Sequence, residues 1–245
     1  MDVQDVDQRG SRLVDSFSHL RLSGITSLAE VLGVVASLRH DDPGSRYLCT
    51  LDDLDQCRYT SAHAREDERL GLWDVEAGES PVFDEACLRL VAERLDDDAL
   101  RVPWPSLAGA LMTAAADVDA LVAVNRDPVA VLDGVVYVQR LPLARDDLMI
   151  AGLPNGYFSG DWDVFQNHAV IRRLEAVHGY RFFGIGASWL GFVRDAPAGA
   201  ARVVEDLVHL YGWGESRAWR EMGELVRRNE WLLLGYTENF AEGFR

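Results

Sequence analysis

Apolar residues return every three or four positions along several stretches of the chain. Between Glu85 and Leu95, the residues Cys87, Leu88, Val91, Ala92 and Leu95 fall on one helical stripe, with Asp84 ahead of them as N-cap. Ser27-Leu28-Ala29-Glu30 has the spacing of a capping box and opens a helix that must stop by Asp41-Asp42-Pro43-Gly44. Val164 to His178 is a third helix, closed by Gly179. Ala200 to Tyr211 and Ser216 to Arg228 are two more, and Ser106 can cap a further one over Leu107 to Ala116.

Other stretches read as strands: Tyr47 to Leu51, Leu70 to Val75, Leu121 to Val124, Tyr180 to Ile185, Ser188 to Val193 and Trp231 to Tyr236. Val129 to Leu132 and Val135 to Gln139 flank Asp133-Gly134, the pair that favours a two-residue hairpin turn. Residues 1–24 are polar and fit a tail or a loose helix. Helices and strands without strict alternation predict an α+β protein, its sheet mixed or antiparallel with hairpins and flanking amphipathic helices. The best boundary lies at Pro103-Trp104-Pro105. It separates an acidic N-terminal region, residues 1–103, from a more regular α+β domain, residues 104–245, unless the two form one continuous globule.

Charge changes this picture most. The net charge is −16, and residues 1–100 carry 22 acids against 10 arginines. Such a chain repels phosphate backbones and anionic lipid, so neither nucleic acid nor membrane is an expected partner, whereas a basic protein is. All basic residues are arginine, with no lysine, as in the coding of a GC-rich bacterial genome. Cys49, Cys57 and Cys87 are odd in number and lack Cys-x-x-Cys spacing, which argues for reduced thiols in a cytoplasm rather than a disulfide framework or a zinc site. No signal peptide is expected at the acidic start, and no apolar run is long enough to span a bilayer.

The richest chemistry lies in Gly156-Tyr157-Phe158-Ser159-Gly160-Asp161-Trp162-Asp163, just ahead of a helix. Asp163 and Gln166 have capping-box spacing, which gives Asp163 a structural role, while Asp161 has no such evident one. On the helix that follows, Asn167, Val170, Ile171, Leu174, Val177 and His178 share a core stripe, so Asn167 should hydrogen-bond the preceding loop. His168 falls on the more accessible flank, on the side of Arg172 and Glu175. An enzyme reading would use Asp161 and His168 as catalytic base or ligand, with Tyr157 or Ser159 as donor to substrate. No hydrolase, zinc or phosphate-loop spacing supports it, no cofactor motif appears, and no metal set is assigned.

Gly184-Ile185-Gly186 lacks the third glycine of a dinucleotide fingerprint. Asp52, Asp53 and Asp55 form an acidic cluster without the register of a calcium loop, and a solvated turn is the default. His19, His40 and His63 have no companions in a recognisable motif, and His209 should face water. Trp213, between Gly212 and Gly214, is the best single exposed anchor. The leading expectation is thus an acidic protein-binding module of the inhibitor or immunity type, acting on a basic partner through Tyr157, Trp162, Trp213, Asp52, Asp53 and Asp55. The alternative is a small-molecule hydrolase or metal-dependent enzyme built on residues 157–168.

Overall fold

A computed structural model describes residues 1–6, 16–72, 83–196, 199–214 and 216–242. The fold is α+β. Its strands are β1 (Asp2–Asp5), β2 (Ser18–Ser23), β3 (Arg46–Thr50), β4 (Val135–Leu141), β5 (Arg181–Ile185), β6 (Trp189–Val193) and β7 (Trp231–Gly235). They form one seven-stranded sheet in the order β1-β2-β4-β3-β5-β6-β7. Every pair is antiparallel except β3 and β5, which run parallel with Cys49 opposite Gly184 and Thr50 opposite Ile185. Strands on both sides of residue 103 therefore share the sheet. The helices are α1 (Leu28–Asp41), α2 (Leu54–Ala64), α3 (Glu85–Asp96), α4 (Ala115–Arg126), α5 (Val164–His178), α6 (Ala200–Tyr211) and α7 (Arg217–Arg228).

The capping signals act as their chemistry requires. Ser27 and Glu30 form the reciprocal box of α1, Asp84 accepts two backbone N–H groups of α3, and Gly179 closes α5 in the left-handed region. Leu232, Leu233 and Leu234 are all buried, so β7 is covered on both faces. Its free edge is closed by a side chain. Asn125 of α4 accepts from Leu233 N at 2.8 Å and donates to Leu233 O at 2.8 Å, imitating the next strand. At the opposite edge β1 is short, exposed and acidic, which discourages pairing with another chain.

The sequence expectation fails where a turn or an apolar run had two readings. No hairpin forms at Asp133-Gly134. Residues Pro128–Val131 make a 3₁₀ turn, and β4 is already flanked by β2 and β3. Asp133 instead caps α2, its Oδ2 accepting from Leu54 N at 3.1 Å, while its own N–H donates to Leu51 O at 2.9 Å. Leu121 to Val124 is the middle of α4, a helix buried on most sides, where periodicity cannot separate helix from strand. Ser106 sits in a 3₁₀ turn, Trp104–Leu107, and the alanine-rich stretch after it starts α4 at Ala115. The described residues among the first 24 supply β1 and β2, where a tail or loose helix was expected. Glu68–Leu70 is a 3₁₀ turn, and the rest of the strand expected from Leu70 to Val75 lies mainly outside the described residues.

Candidate functional site

The loop from Leu153 to Asp163 is two structures in one. Its second half is pinned. Trp162 is fully buried, donates its backbone N–H to Tyr236 O at 2.9 Å and packs its ring 5.5 Å from that of Tyr211. Asp163 caps α5 through the expected box, accepting from Gln166 N at 2.8 Å, and also pairs with Arg69 at 2.8 Å. Asn167, buried as its position on the core stripe requires, donates to Asn155 O at 3.2 Å and Trp162 O at 3.0 Å, whereas Val177, near the end of the same stripe, is exposed because the core no longer covers the last turn. Gly156 has φ +104°, and any Cβ there would strike the carbonyl of Trp162. The chain thus folds back on itself with no room for a side chain.

The middle of the loop, residues 157–159, is not pinned in this way. Tyr157 and Phe158 are 44% and 49% exposed. Their rings lie 5.2 Å apart, and the ring of Tyr157 stacks at 4.7 Å on His63. His63 meets Tyr59 in turn at 4.6 Å, and Tyr59 is 53% exposed. Tyr59 and His63 lie one turn apart on α2, and Asp55 precedes Tyr59 by another turn on the same face. The result is a row of four rings, Tyr59-His63-Tyr157-Phe158, shared between a helix and a loop.

Carboxylates border the row. Asp55, at the start of α2 and one turn before Tyr59, is exposed. Glu66 lies 3.3 Å from Nδ1 of His63. A cavity of about 560 Å³ opens beside the rings, lined by His63, Glu66, Asp67, Tyr157, Phe158 and Asp161, among others. Asp161 is not idle, as its sequence context implied: its Oδ1 accepts from Glu238 N at 3.0 Å, and its N–H donates to Phe158 O. Burial, helped by the charge of Glu238, outweighs these hydrogen bonds and pushes its carboxyl up to about 6.

His168 departs from expectation. It is 3% exposed, not accessible, and its Nε2 lies 3.3 Å from Oδ2 of Asp147. Burial works to raise the Asp147 carboxyl, but hydrogen bonds from His168 and Arg145, with their charges, hold it well below the usual carboxylate range. Asp161 and His168 are not brought together. Asp161 lines the cavity beside Tyr157; His168 lines another, with Trp104 and Arg172.

The acidic cluster also divides by role. Asp52 is a clamp rather than a solvated turn. Its Oδ2 accepts from Ser188 N at 3.0 Å, its carbonyl accepts from Ala187 N, and its buried Oδ1 has no hydrogen-bond partner among the described residues. Burial pushes this carboxyl up to about 7. Gly186 lies so close that a Cβ would collide with the Asp52 side chain. Asp53, in the left-handed region at φ 33°, caps α2 by accepting from Gln56 N at 3.0 Å. Among the described residues no group of three or more His, Cys, Asp or Glu could hold a metal ion. Trp162 is core, so a binding role through direct contact is closed to it. Trp213 is 51% exposed, with φ 58° and its Nε1 donating to Thr113 O at 3.3 Å. His209 does not simply face water: it stacks on Trp104 at 5.1 Å between ring centroids.

Tyr59, His63 and Phe158 were not among the residues singled out as binding from sequence. The signal for the first two was the helix itself. Cys57, Thr60, Ser61 and Ala64 recur on its buried face, and Tyr59 and His63 project from another. The three cysteines are buried and unpaired, and among the described residues no helix is long and apolar enough to cross a membrane. Comparison of the chain with protein-family models, curated proteins and solved structures finds no match, so the functional reading rests on these residues alone.

Proposed function

We propose that the protein is an acidic protein-binding module that engages a basic partner through the ring row of α2 and the 156–163 loop. The observation that carries this reading is the exposed, contiguous row Tyr59-His63-Tyr157-Phe158 with carboxylates at its border. Exposed aromatics are costly to leave in water and are the residues most enriched at the energetic centres of interfaces. Arginine is the side chain that suits both parts of such a surface. Its guanidinium stacks on a ring face and forks onto a carboxylate. The net charge of −16 adds long-range attraction for a basic partner.

The test is isolation of tagged protein from its own host, compared with the triple variant Tyr59→Ala, Tyr157→Ala, Phe158→Ala. Native mass spectrometry should find a stoichiometric basic protein on the first and not on the second, with the variant still folded by circular dichroism. A partner held equally by both proteins would move the interface elsewhere, and a wild-type chain that carries no protein partner would overturn the reading.

A further inference from the structure

The side of α5 turned away from the sheet carries a second, chemically opposite depression. Phe165, His168, Arg172 and Ala176 follow one another at spacings of three and four residues, so they form one stripe of the helix. Ala169 and Ala176 lie within a turn on either side of Arg172 and leave space around its stem. Facing this stripe, the segment after α3 brings Leu100, Val102 and Trp104. Together they enclose a cavity of about 320 Å³, the lower end of the range for small-molecule sites.

Three arginines reach this cavity, and two of them are already neutralised. Arg101 pairs with Asp98, and Arg173 with Asp206 at 2.7 Å. Arg172 has no ion-pair or hydrogen-bond partner among the described residues. It is half-buried, so part of its hydration is lost without compensation from the protein. His168, buried in the same wall, is committed through Nε2 to Asp147, which Arg145 also holds at 2.5 Å. Asp147 is therefore occupied by His168 and Arg145, and Glu175, one turn along α5 in a neighbouring depression that Arg172 also borders, makes no ion pair with Arg172. The cavity is left with one uncompensated cation and otherwise largely apolar walls.

We propose that this cavity binds a small amphipathic monocarboxylate, its head group on Arg172 and its apolar body against Val102, Phe165 and Val177. A planar carboxylate matches the fork of a guanidinium. One negative charge balances one unpaired cation, whereas a phosphate dianion would bring a second charge with no unpaired cation left to balance it. The site is independent of the ring row and shares no residue with the cavity beside it.

Isothermal titration calorimetry with octanoate tests this, with octylammonium (same tail, opposite charge) and acetate (head group alone) as controls. Octanoate should bind with one-to-one stoichiometry, acetate far more weakly, and octylammonium not at this site. Arg172→Gln should weaken octanoate by about tenfold or more, because a charge-assisted hydrogen bond is lost. Ala176→Trp, at an exposed position, should fill the trough and abolish binding even if the arginine variant folds poorly. Absence of octanoate binding would overturn the proposal. So would equal binding of octylammonium, or octanoate affinity unchanged in both variants.

Discussion

Within one loop, Trp162 and Tyr157 show two uses of an aromatic ring. Trp162 is fully enclosed, its backbone tied to Tyr236 and its ring set against Tyr211. Tyr157, five residues earlier, leaves nearly half its surface in water and sets its ring against two other partly exposed rings. The glycine that turns the chain sharply just before Tyr157 serves the buried part, since it is the Trp162 carbonyl that forbids a side chain at Gly156. Folding accounts for Trp162, Asp163, Asn167 and Gly156. It does not account for Tyr157, Phe158 and Tyr59, and that difference is the ground on which the proposed interface rests.

The sharpest way to break the comparison is to truncate the buried ring. Trp162→Ala should cost roughly 3–5 kcal/mol of stability, the range for removing a large aromatic from a core. Chemical denaturation measures it. A loss below about 1 kcal/mol would mean that the corner is not a structural anchor, and the contrast with Tyr157 would collapse. Next in size is Gly156→Ala, which forces a Cβ against the Trp162 carbonyl at φ +104°. We expect a cost of roughly 1–3 kcal/mol, read from the same denaturation curves.

The buried half was the legible half. Asp163 with Gln166, Asn167 on the core stripe and Gly179 at the end of α5 are local signals, each set by spacing within a few residues, and all take the places that spacing assigns. The exposed half was legible only in part. Tyr157 stood out between glycines, but its stacking partner His63 is distant in sequence, on a helix whose polar residues hid it. His168 misled for the same reason. Its helical angle places it on a flank, and the element that buries it, through Asp147, is tertiary. The Asp133-Gly134 turn failed as a hairpin because Asp133 is used to cap α2, a helix the acidic run Asp52-Asp53-Leu54-Asp55 did not announce. Local chemistry was read correctly where the local partner was the real one.

Asp161 sits at the seam between the halves and offers a pH test of it. Its folded carboxyl, raised to about 6, lies above the ordinary value of 3.8. Between those values the folded state holds a proton that the unfolded chain has released, so this group's contribution to stability falls as pH rises from about 4 to about 6 and is level above. Asp161→Asn keeps an acceptor for Glu238 N but removes the charge. It should flatten that part of the profile and leave the variant more stable than wild type near pH 7, by about 1 kcal/mol given its partial exposure. Thermal melts from pH 4 to pH 8 decide this. Parallel profiles for the two proteins would mean that Asp161 is not buried against Glu238, and that the seam is looser than its hydrogen bonds imply.

The smallest expected effect is the most informative about function. Tyr59→Ala, Tyr157→Ala and Phe158→Ala each remove a ring that is about half in water, and each should change stability by no more than about 0.5–1 kcal/mol. The rings touch one another, so the triple variant should lose a little less or a little more than the sum, according to how the neighbours re-solvate. What the rings cannot do cheaply is stay exposed without a use, because that apolar area is unfavourable in water whether or not the core is intact. Denaturation of the three single variants therefore separates two accounts of the row. Losses of several kcal/mol would make it an outlying part of the core, held in place by stacking on His63. Near-zero losses, combined with loss of a salt-sensitive association with a basic protein, would make it an interface whose rings contribute in the complex what they do not contribute to the fold.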